Sequence, residues 1–288
     1  SSTARRYWTN QTSGSTGTPL DIELDARTYR YLMALVEDHE QRHGMKSRGV
    51  RATFAGRILQ PQSDNRPPFW RFNRAENQHL FSTLHLSDPN MPSYIERLAE
   101  IQPDEIIGYP SAIYAVAEFC LRHGRKLGFR PDVVVTNSET LLAWQREAIE
   151  LAFGCPVADY YGLAEGVVFA SQCARGSYHF NPLLGVVEVL DERDSPVAPG
   201  QAGRLICTTL TNYRMPLLRY DTGDEVKLSD TPCDCRNASL SASGILGRMD
   251  DSVVTSDGRS VGRLDHIFKG TTGIRECQIV QTDLRRIV

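Results

Sequence analysis

The sequence has no apolar run approaching the roughly 18 residues that a helix needs to cross a bilayer, and no signal-peptide pattern at Ser1. It has no long basic run either. With a net charge of -3 and a pI of about 6.2, nucleic acid and anionic membrane surfaces are not expected partners. Internal repeats and low-complexity tracts are missing, so no repeat architecture is read. A secreted disulfide framework is a poor reading of the cysteines. There are seven, an odd number in a long chain: Cys120, Cys155, Cys173, Cys207, Cys233, Cys235 and Cys277. A reduced cytoplasm suits them better. An opening methionine is also lacking, and the chain stops at Arg285-Arg286-Ile287-Val288 in mid-pattern. The expectation is a piece of a longer polypeptide.

What is present is ordinary for a soluble globular protein: 288 residues, 41% hydrophobic and 23% charged. Apolar spacing from Asp25 to His43, stopped by Gly44, predicts a helix with one buried face. Further helices are expected after Pro92, from Pro110 to Gly124, and from a Thr140 cap to Phe153. Val133-Val134-Val135 and Val157 to Tyr160 read as strands between them. This alternation predicts a partly parallel α/β sheet. After Gly166 the pattern turns to β, with strands expected at Val186 to Leu190, Arg204 to Leu210, Leu217 to Tyr220 and Glu225 to Leu228. These predict a smaller, mostly antiparallel sheet. Past Arg248 a hairpin turn at Ser256 to Arg259, a short helix from Leu264 to Lys269 and a strand from Glu276 to Gln281 predict the start of a small α+β domain. The boundary is placed at 247/248, and residues 61–68 are read as a surface loop.

Four segments carry chemistry. Thr12-Ser13-Gly14-Ser15-Thr16-Gly17-Thr18-Pro19 offers small residues and hydroxyls that can approach phosphate oxygens. It lacks the Gly-Lys-Ser/Thr ending of a Walker loop, and read alone it is equally a flexible linker. In Tyr160-Tyr161-Gly162-Leu163-Ala164-Glu165 a strand-end aromatic can stack on a base and a carboxylate can hold magnesium; the alternative is two packed tyrosines. In Arg219-Tyr220-Asp221-Thr222-Gly223-Asp224 a carboxylate at a tight turn can accept from two ribose hydroxyls, or the segment is a plain Asx turn. In Gly247-Arg248-Met249-Asp250-Asp251 an arginine can reach ribose or phosphate, or lie on a surface loop.

The order and spacing of the four resemble the core motif series of the adenylate-forming superfamily of acyl-CoA synthetases, adenylation domains and luciferases. Within it, Thr208 to Asn212, Met215 to Tyr220 and Gly258 to Phe268 resemble the phenylacetate–CoA ligase branch with its capsular-polysaccharide, CapK-like members. The resemblance spans nearly the whole chain. It implies an adenylate-forming α/β core over residues 1–247 without its N-terminal portion, and a truncated C-terminal domain over 248–288.

The resemblance further implies an enzyme that activates a carboxylic acid with ATP, then passes the acyl group to coenzyme A. The loop of Thr12, Ser13, Gly14, Ser15, Thr16, Gly17 and Thr18 would close on the phosphates. The backbone at Ser138 and Glu139 would line the adenine and Tyr161 would stack on it. Glu165 would bind magnesium, Asp224 the ribose, and Arg248 the ribose or phosphate; Glu165 and Arg248 are the candidate catalytic pair. Asp250 would be the hinge, and Tyr109-Pro110-Ser111 would start a helix beside the acyl pocket. Leu20 stands where many relatives have a lysine. Transfer to a sugar or amine acceptor, and a non-catalytic nucleotide-binding role, remain as alternatives. After Asp250 the one lysine is Lys269, too early for the family's mobile catalytic lysine, so binding without efficient turnover is expected of these residues alone.

Cys173 and His179 sit six apart, and Cys233-x-Cys235 follows the third segment. Three thiolates and one imidazole make a closed structural zinc site, which some members of the branch carry; unpaired thiols in an exposed loop are the alternative. Cys120, Cys155, Cys207 and Cys277 lie in apolar stretches and read as core residues.

Overall fold

A computed structural model describes residues 7–11, 20–248, 253–254, 260–261 and 279–288. Strands β1 (Tyr7–Gln11) and β2 (Asp21–Asp25) form an antiparallel hairpin, with Gln11 opposite Asp21. Helix α1 (Ala26–Arg42) follows directly, its first amides at Arg27 and Thr28 accepted by the Asp25 carboxylate at 3.0 and 2.8 Å. Then come β3 (Arg51–Ala55), β4 (Trp70–Asn73), β5 (Gln78–Ser82), α2 (Met91–Ile101), β6 (Glu105–Gly108), α3 (Pro110–Arg122), β7 (Val133–Thr136), α4 (Ala143–Phe153) and β8 (Val157–Gly162). The rest is β: β9 (Phe169–Gln172), β10 (Tyr178–Phe180), β11 (Gly185–Leu190), β12 (Ala202–Thr209), β13 (Tyr220–Leu228) and β14 (Ser241–Arg248). Short pairs close the described chain, β15 (Val253–Val254) with β16 (Ser260–Val261), and β17 (Gln281–Asp283) with β18 (Arg286–Ile287).

The two expected sheets are one. Twelve strands run in the order β11-β12-β13-β14-β10-β9-β8-β7-β6-β3-β5-β4. Neighbours from β5 through β3, β6 and β7 to β8 are parallel, and β8 pairs antiparallel with β9. β8 therefore belongs to both halves, and Tyr160-Tyr161-Gly162 sits on the seam. In open parallel sheets ligands bind beyond the carboxyl ends of the strands. Those ends here are Ala55, Ser82, Gly108, Thr136 and Gly162.

Period-two alternation fixes the two faces of the parallel half. Ile106 and Val134 point into a core shared with Ala112, Ile113 and Val116 of α3 and Ile149 of α4. Ile107, Val133 and Val135 point the other way with Ala158. All are buried, as parallel strands covered on both faces require. Gly108 shows why that strand ends in glycine: a Cβ there would lie 2.0 Å from the Phe54 carbonyl oxygen. The antiparallel half has its own core of Val168, Ala170, Val189, Leu205, Cys207 and Val226.

Several expectations need correction. Helix α4 is capped at Leu142, whose amide is accepted by Gln145 Oε1 at 3.0 Å, and not at Thr140. Thr140 instead faces the end of β14, where a Cβ on Gly247 would lie 3.1 Å from its hydroxyl. Leu217 to Tyr220 is not a strand. Its bonds are irregular, and β13 starts at Tyr220 and runs unbroken through the Thr-Gly-Asp segment. Of the strand expected from Glu276 to Gln281, residues 276–278 lie outside the described residues, and β17 begins at Gln281. The expected turn at 256–259 and helix at 264–269 lie outside the described residues.

Helix α1 is docked by a buried charge cluster. Arg51 on β3 pairs with Glu105 Oε2 of β6 at 2.6 Å and with Glu40 of α1. Two buried carboxylates share one guanidinium, and Glu105 Oε1 is buried without a hydrogen-bond partner. Burial first, then the neighbouring Glu105, pushes Glu40 up to about 8, and burial raises Glu105 too. His39, one residue away, is driven down to about 3 by burial and by His43. The signs oppose each other. Folded protein holds an extra proton on Glu40, so that group's contribution to stability falls as pH rises from the ordinary glutamate range through 8. Neutral buried His39 gives stability that rises with pH and levels off above about 6.5. Between pH 6.5 and 8 the His39 slope has levelled off and the Glu40 slope remains. Urea denaturation of Glu40→Gln is expected to show a pH slope of stability there that is less negative than the parent's, by at most about 1.4 kcal/mol per pH unit. Parallel profiles would mean the cluster holds no such proton.

Candidate functional site

The Thr-Gly-Asp segment is a bulge within β13 that carries an Asx contact, the Gly223 amide donating to Asp221 Oδ1 at 3.0 Å. Across the β12–β13 ladder Arg204 faces Glu225 and Ile206 faces Asp221, so β13 carries extra residues between those pairs. Gly223 takes φ 73° within it, which a side chain resists. Thr222 Oγ1 donates to the Leu205 carbonyl at 2.9 Å and accepts the Asp224 amide at 3.1 Å. The bulge turns Asp224 inward, where it is 6% exposed. Tyr161, at the end of β8, donates its hydroxyl to Asp224 Oδ2 at 2.6 Å. Burial, then the Asp224 carboxylate, raises the Tyr161 phenol well above its ordinary value, so it stays a neutral donor.

Glu165 follows three residues after Gly162 and is buried. Its Oε1 accepts the Tyr220 hydroxyl at 2.8 Å. Glu165 and Asp224 face a common neighbour: burial first, then Asp224 and Glu165, push the Cys207 thiol up to about 12. Asp224 is paired across the ladder with Arg248 at the end of β14. The preceding Gly247 approaches Thr140, so the 138–140 segment lies beside that end. Within that segment Ser138 holds φ 65°, a left-handed conformation rare without glycine. Glu139 Oε2 accepts the Ser111 amide at 3.1 Å, at the N-terminus of α3 where a carboxylate is favoured.

The fold thus brings together Ser138, Glu139, Tyr161, Glu165, Asp224 and the backbone at Arg248, drawn from four separate strands or their ends. The loop Thr12, Ser13, Gly14, Ser15, Thr16, Gly17 and Thr18 lies outside the described residues, as do Asp250, Lys269 and Cys277. Its flanking strands are described, and their ladder pairs the two loop roots. Sequence reasoning gave Tyr220 no role, although it opens the Thr-Gly-Asp segment; its hydroxyl orients Glu165. Cys120, Cys155 and Cys207 are buried thiols.

A second cluster lies in the antiparallel half. Cys173 stands in the turn after β9, where its amide donates to Ser177 at 2.9 Å and its carbonyl accepts from Gly176 at 2.8 Å. His179 is on β10, and Cys233 and Cys235 lie between β13 and β14. The four ligand atoms are all within 4.8 Å of one another. Cys173 Sγ and Cys233 Sγ are 3.7 Å apart, and Cys235 Sγ is 3.2 Å from His179 Nε2. A tetrahedron with zinc–sulfur bonds of about 2.3 Å has a sulfur–sulfur edge of about 3.8 Å, so the spacing fits a shared ion and not a disulfide. The Cys235 amide, with Ser177 and His179, lowers the Cys233 thiol to about 6, which favours the thiolate a metal requires.

Next to His179, Tyr178 donates to Asp159 Oδ2 at 2.6 Å, and Thr136 to Asp159 Oδ1 at 2.5 Å. This buried network joins β10 to β8 and β7, tying the cysteine cluster to the strand that carries Tyr161.

No protein-family profile matches the chain. Protein CapK of Staphylococcus aureus is 29% identical over 284 residues, covering 96% of this chain and 61% of CapK. Phenylacetate-coenzyme A ligase of Thermus thermophilus is 31% identical over 172 residues, covering 54% of this chain and 37% of that enzyme. The Escherichia coli ligase of the same name is 31% identical over 185 residues, covering 60% and 40%. The chain therefore spans about three fifths or less of the curated relatives it matches. Among solved structures, a 2-hydroxyisobutyryl-CoA ligase in complex with 2-HIB-AMP aligns with a TM-score of 0.65 at 17% identity, over 94% of this chain and 58% of that one. An anthranilate CoA ligase with anthranoyl-AMP aligns at 0.58 and 15%, over 90% and 50%. No helix among the described residues is long and apolar enough to cross a membrane.

Proposed function

We propose that this chain, which has the adenylate-forming enzyme fold and belongs to the phenylacetate–CoA ligase and CapK-like branch of that superfamily, binds ATP and activates a carboxylic acid as its acyl-adenylate, with coenzyme A as the next acyl acceptor. The observation that carries the reading is the Tyr161–Asp224 pair set across from Arg248, with Glu165 held by Tyr220 beside it. In this reading Asp224 accepts the ribose hydroxyls, Tyr161 faces the adenine, and the backbone at Ser138 and Glu139 lines the base. The loop from Thr12 to Thr18 and Arg248 stabilise charge on the phosphates. A substrate carboxylate oxygen attacks the α-phosphorus, the bond to the β-phosphate oxygen breaks, and pyrophosphate leaves. Positioning and preorganised charge do most of this work, because no protein nucleophile takes part. Glu165 is the carboxylate for magnesium, which when bound neutralises phosphate charge; buried and oriented by Tyr220, it is an oxygen donor of the type that ion prefers. Cys173, His179, Cys233 and Cys235 hold a structural zinc ion. Residues 1–247 form the nucleotide-binding core and 248–288 belong to the smaller C-terminal domain. Free thiols suit a reducing compartment such as the cytoplasm.

Exchange of labelled pyrophosphate into ATP is the direct test. Screened over aryl and short aliphatic acids, it is expected to rise only when an accepted acid is present. Thiol loss from coenzyme A then separates thioester formation from transfer to a sugar or amine. ATP binding with no acid-dependent exchange anywhere in the screen would favour a non-catalytic nucleotide-binding role and overturn the activation step.

A further inference from the structure

Asn212 lies in an exposed connection between β12 and β13, where its neighbour Tyr213 is 75% exposed, yet Asn212 is 2% exposed. A buried amide in an open loop must have its hydrogen bonds met. Two of its contacts are local: Nδ2 donates to the Met215 carbonyl at 3.3 Å and Oδ1 accepts the Arg214 amide at 3.3 Å. The other two reach across the chain. Nδ2 donates to the Glu23 carbonyl at 2.9 Å, and Oδ1 accepts the Asp25 amide at 3.3 Å. Both targets are backbone groups of β2, at its junction with α1. One side chain therefore reads the position of β2 with a donor and an acceptor together.

Around this point the contacts repeat the same tie. The Tyr213 amide donates to Asp25 Oδ2 at 3.3 Å, while Asp25 Oδ1 caps α1. Arg214 pairs with Glu23 at 2.5 Å and lies over the Tyr7 ring of β1 at 4.6 Å. Gly166, directly after Glu165, also packs on Leu24: a Cβ there would lie 3.0 Å from that side chain. The β1–β2 hairpin is thus held by both the segment leading into the Thr-Gly-Asp strand and the end of the Tyr-Gly-x-x-Glu segment. Of these ties, the pair to Glu23 is exposed and worth little. The Asn212 bonds are the buried, two-point ones.

We propose that Asn212 is a positioning residue that fixes the β1–β2 hairpin against the nucleotide-binding strands, so that it sets affinity for the polyphosphate end of ATP and not for the nucleoside end. The inference rests on the nucleotide reading given above. Asp224, Tyr161 and Ser138 are placed by β13, β8 and β7, whereas the side-chain bonds of Asn212 go to β2 and to its own connection. Among the described residues the hairpin's backbone ladder is only within itself, so its placement relative to those strands comes from its junction with α1, the burial of Ile22 and Leu24, and side-chain ties such as this one. Small misplacements of a binding group from its productive position are costly.

The test is calorimetric titration of the chain, in magnesium, with ATP and separately with AMP. Asn212→Ala is expected to weaken ATP by about tenfold or more while AMP stays within about twofold. Asn212→Ser, which keeps a small donor and acceptor at the position without adding a charge, covers the case in which the alanine variant does not fold; it is expected to lose ATP selectively and by less. Equal losses for ATP and AMP, or none for either, in a folded variant would overturn the positioning role while leaving the nucleotide reading intact. If the parent chain binds neither nucleotide, the nucleotide reading itself fails.

Discussion

Substituting Cys233 with serine is expected to reduce bound zinc from about one equivalent per chain to near none, and to lower unfolding stability by more than about 4 kcal/mol. The size follows from what else holds this region together. Residues 229–240 run between β13 and β14 with few apolar side chains, and the large one, Leu240, is exposed. Backbone bonds there are sparse: Ser229 to Ser241 at 3.0 Å, Arg236 to Cys233 at 3.2 Å and Phe180 to Leu240 at 3.0 Å. Ordering such a segment costs about 1–2 kcal/mol per residue in backbone entropy, which so few bonds do not offset. A metal ion that binds only the folded arrangement can. His179 adds to the argument. Its ring is buried, and Nε2 lies 3.2 Å from Cys235 Sγ, the contact that a shared ion would replace. Chelation should act like the substitution and should reach β14, because His179 is paired with Ser241 at the start of that strand. Cys120→Ala serves as the control, a buried thiol in the α/β core whose loss should cost stability without changing metal content. Elemental analysis that finds no zinc in the parent, or the same amount in Cys233→Ser, would remove the site.

The parts of the fold legible in the sequence were those whose signal is local. Helix α1 announces itself by apolar spacing, an aspartate cap and a glycine stop, and it is observed within one residue of its expected ends. Helix α3 starts at its proline. β3, β5 and β6 were not read, because four or five residues such as Glu105–Gly108 carry no period long enough to distinguish a strand from a piece of helix. The continuity of the sheet was hidden for another reason. Sequence shows a change of style at Gly166, but only pairing shows that β8 takes a parallel neighbour on one side and an antiparallel one on the other. In the candidate site the residues with motif neighbours could be named in advance. Their partners could not. Tyr220 on Glu165 and Asn212 on β2 join positions 55 and 187–189 residues apart, and nothing in local composition marks such a pair. At Thr222 to Asp224 the Asx contact was legible but its place inside a strand was not, because Thr-Gly-Asp fits a turn and a bulge alike. The choice is made by the β12 strand alongside, which continues the ladder past it.

Replacing Asp224 with alanine should weaken ATP and AMP alike, by at least tenfold, with the fold retained. Two charge-assisted ribose bonds are lost, each on the order of 1.5–3 kcal/mol. The loss is shared by both nucleotides because the ribose is common to them, in contrast to the ATP-selective effect expected at Asn212. The carboxylate has a second duty that the experiment must separate. It accepts the Tyr161 hydroxyl at 2.6 Å in a buried setting, so alanine strands that phenol at a cost of about 1–3 kcal/mol in stability. Asp224→Asn resolves the two effects. Its amide oxygen still accepts from Tyr161 and the volume is unchanged, so stability should largely return. Its charge is gone, so the ribose bonds drop from charged to neutral strength and nucleotide affinity should stay low. Tyr161→Phe is the complement: it removes the hydroxyl while leaving the ring for the base and the carboxylate for the ribose, and should cost far less affinity than either change at Asp224. Titration calorimetry supplies the affinities and thermal denaturation the stabilities. Parent-like nucleotide binding in folded Asp224→Ala would sink the ribose assignment. Affinity that returned with stability in Asp224→Asn would show that the aspartate supports the site through Tyr161 and does not touch the nucleotide itself.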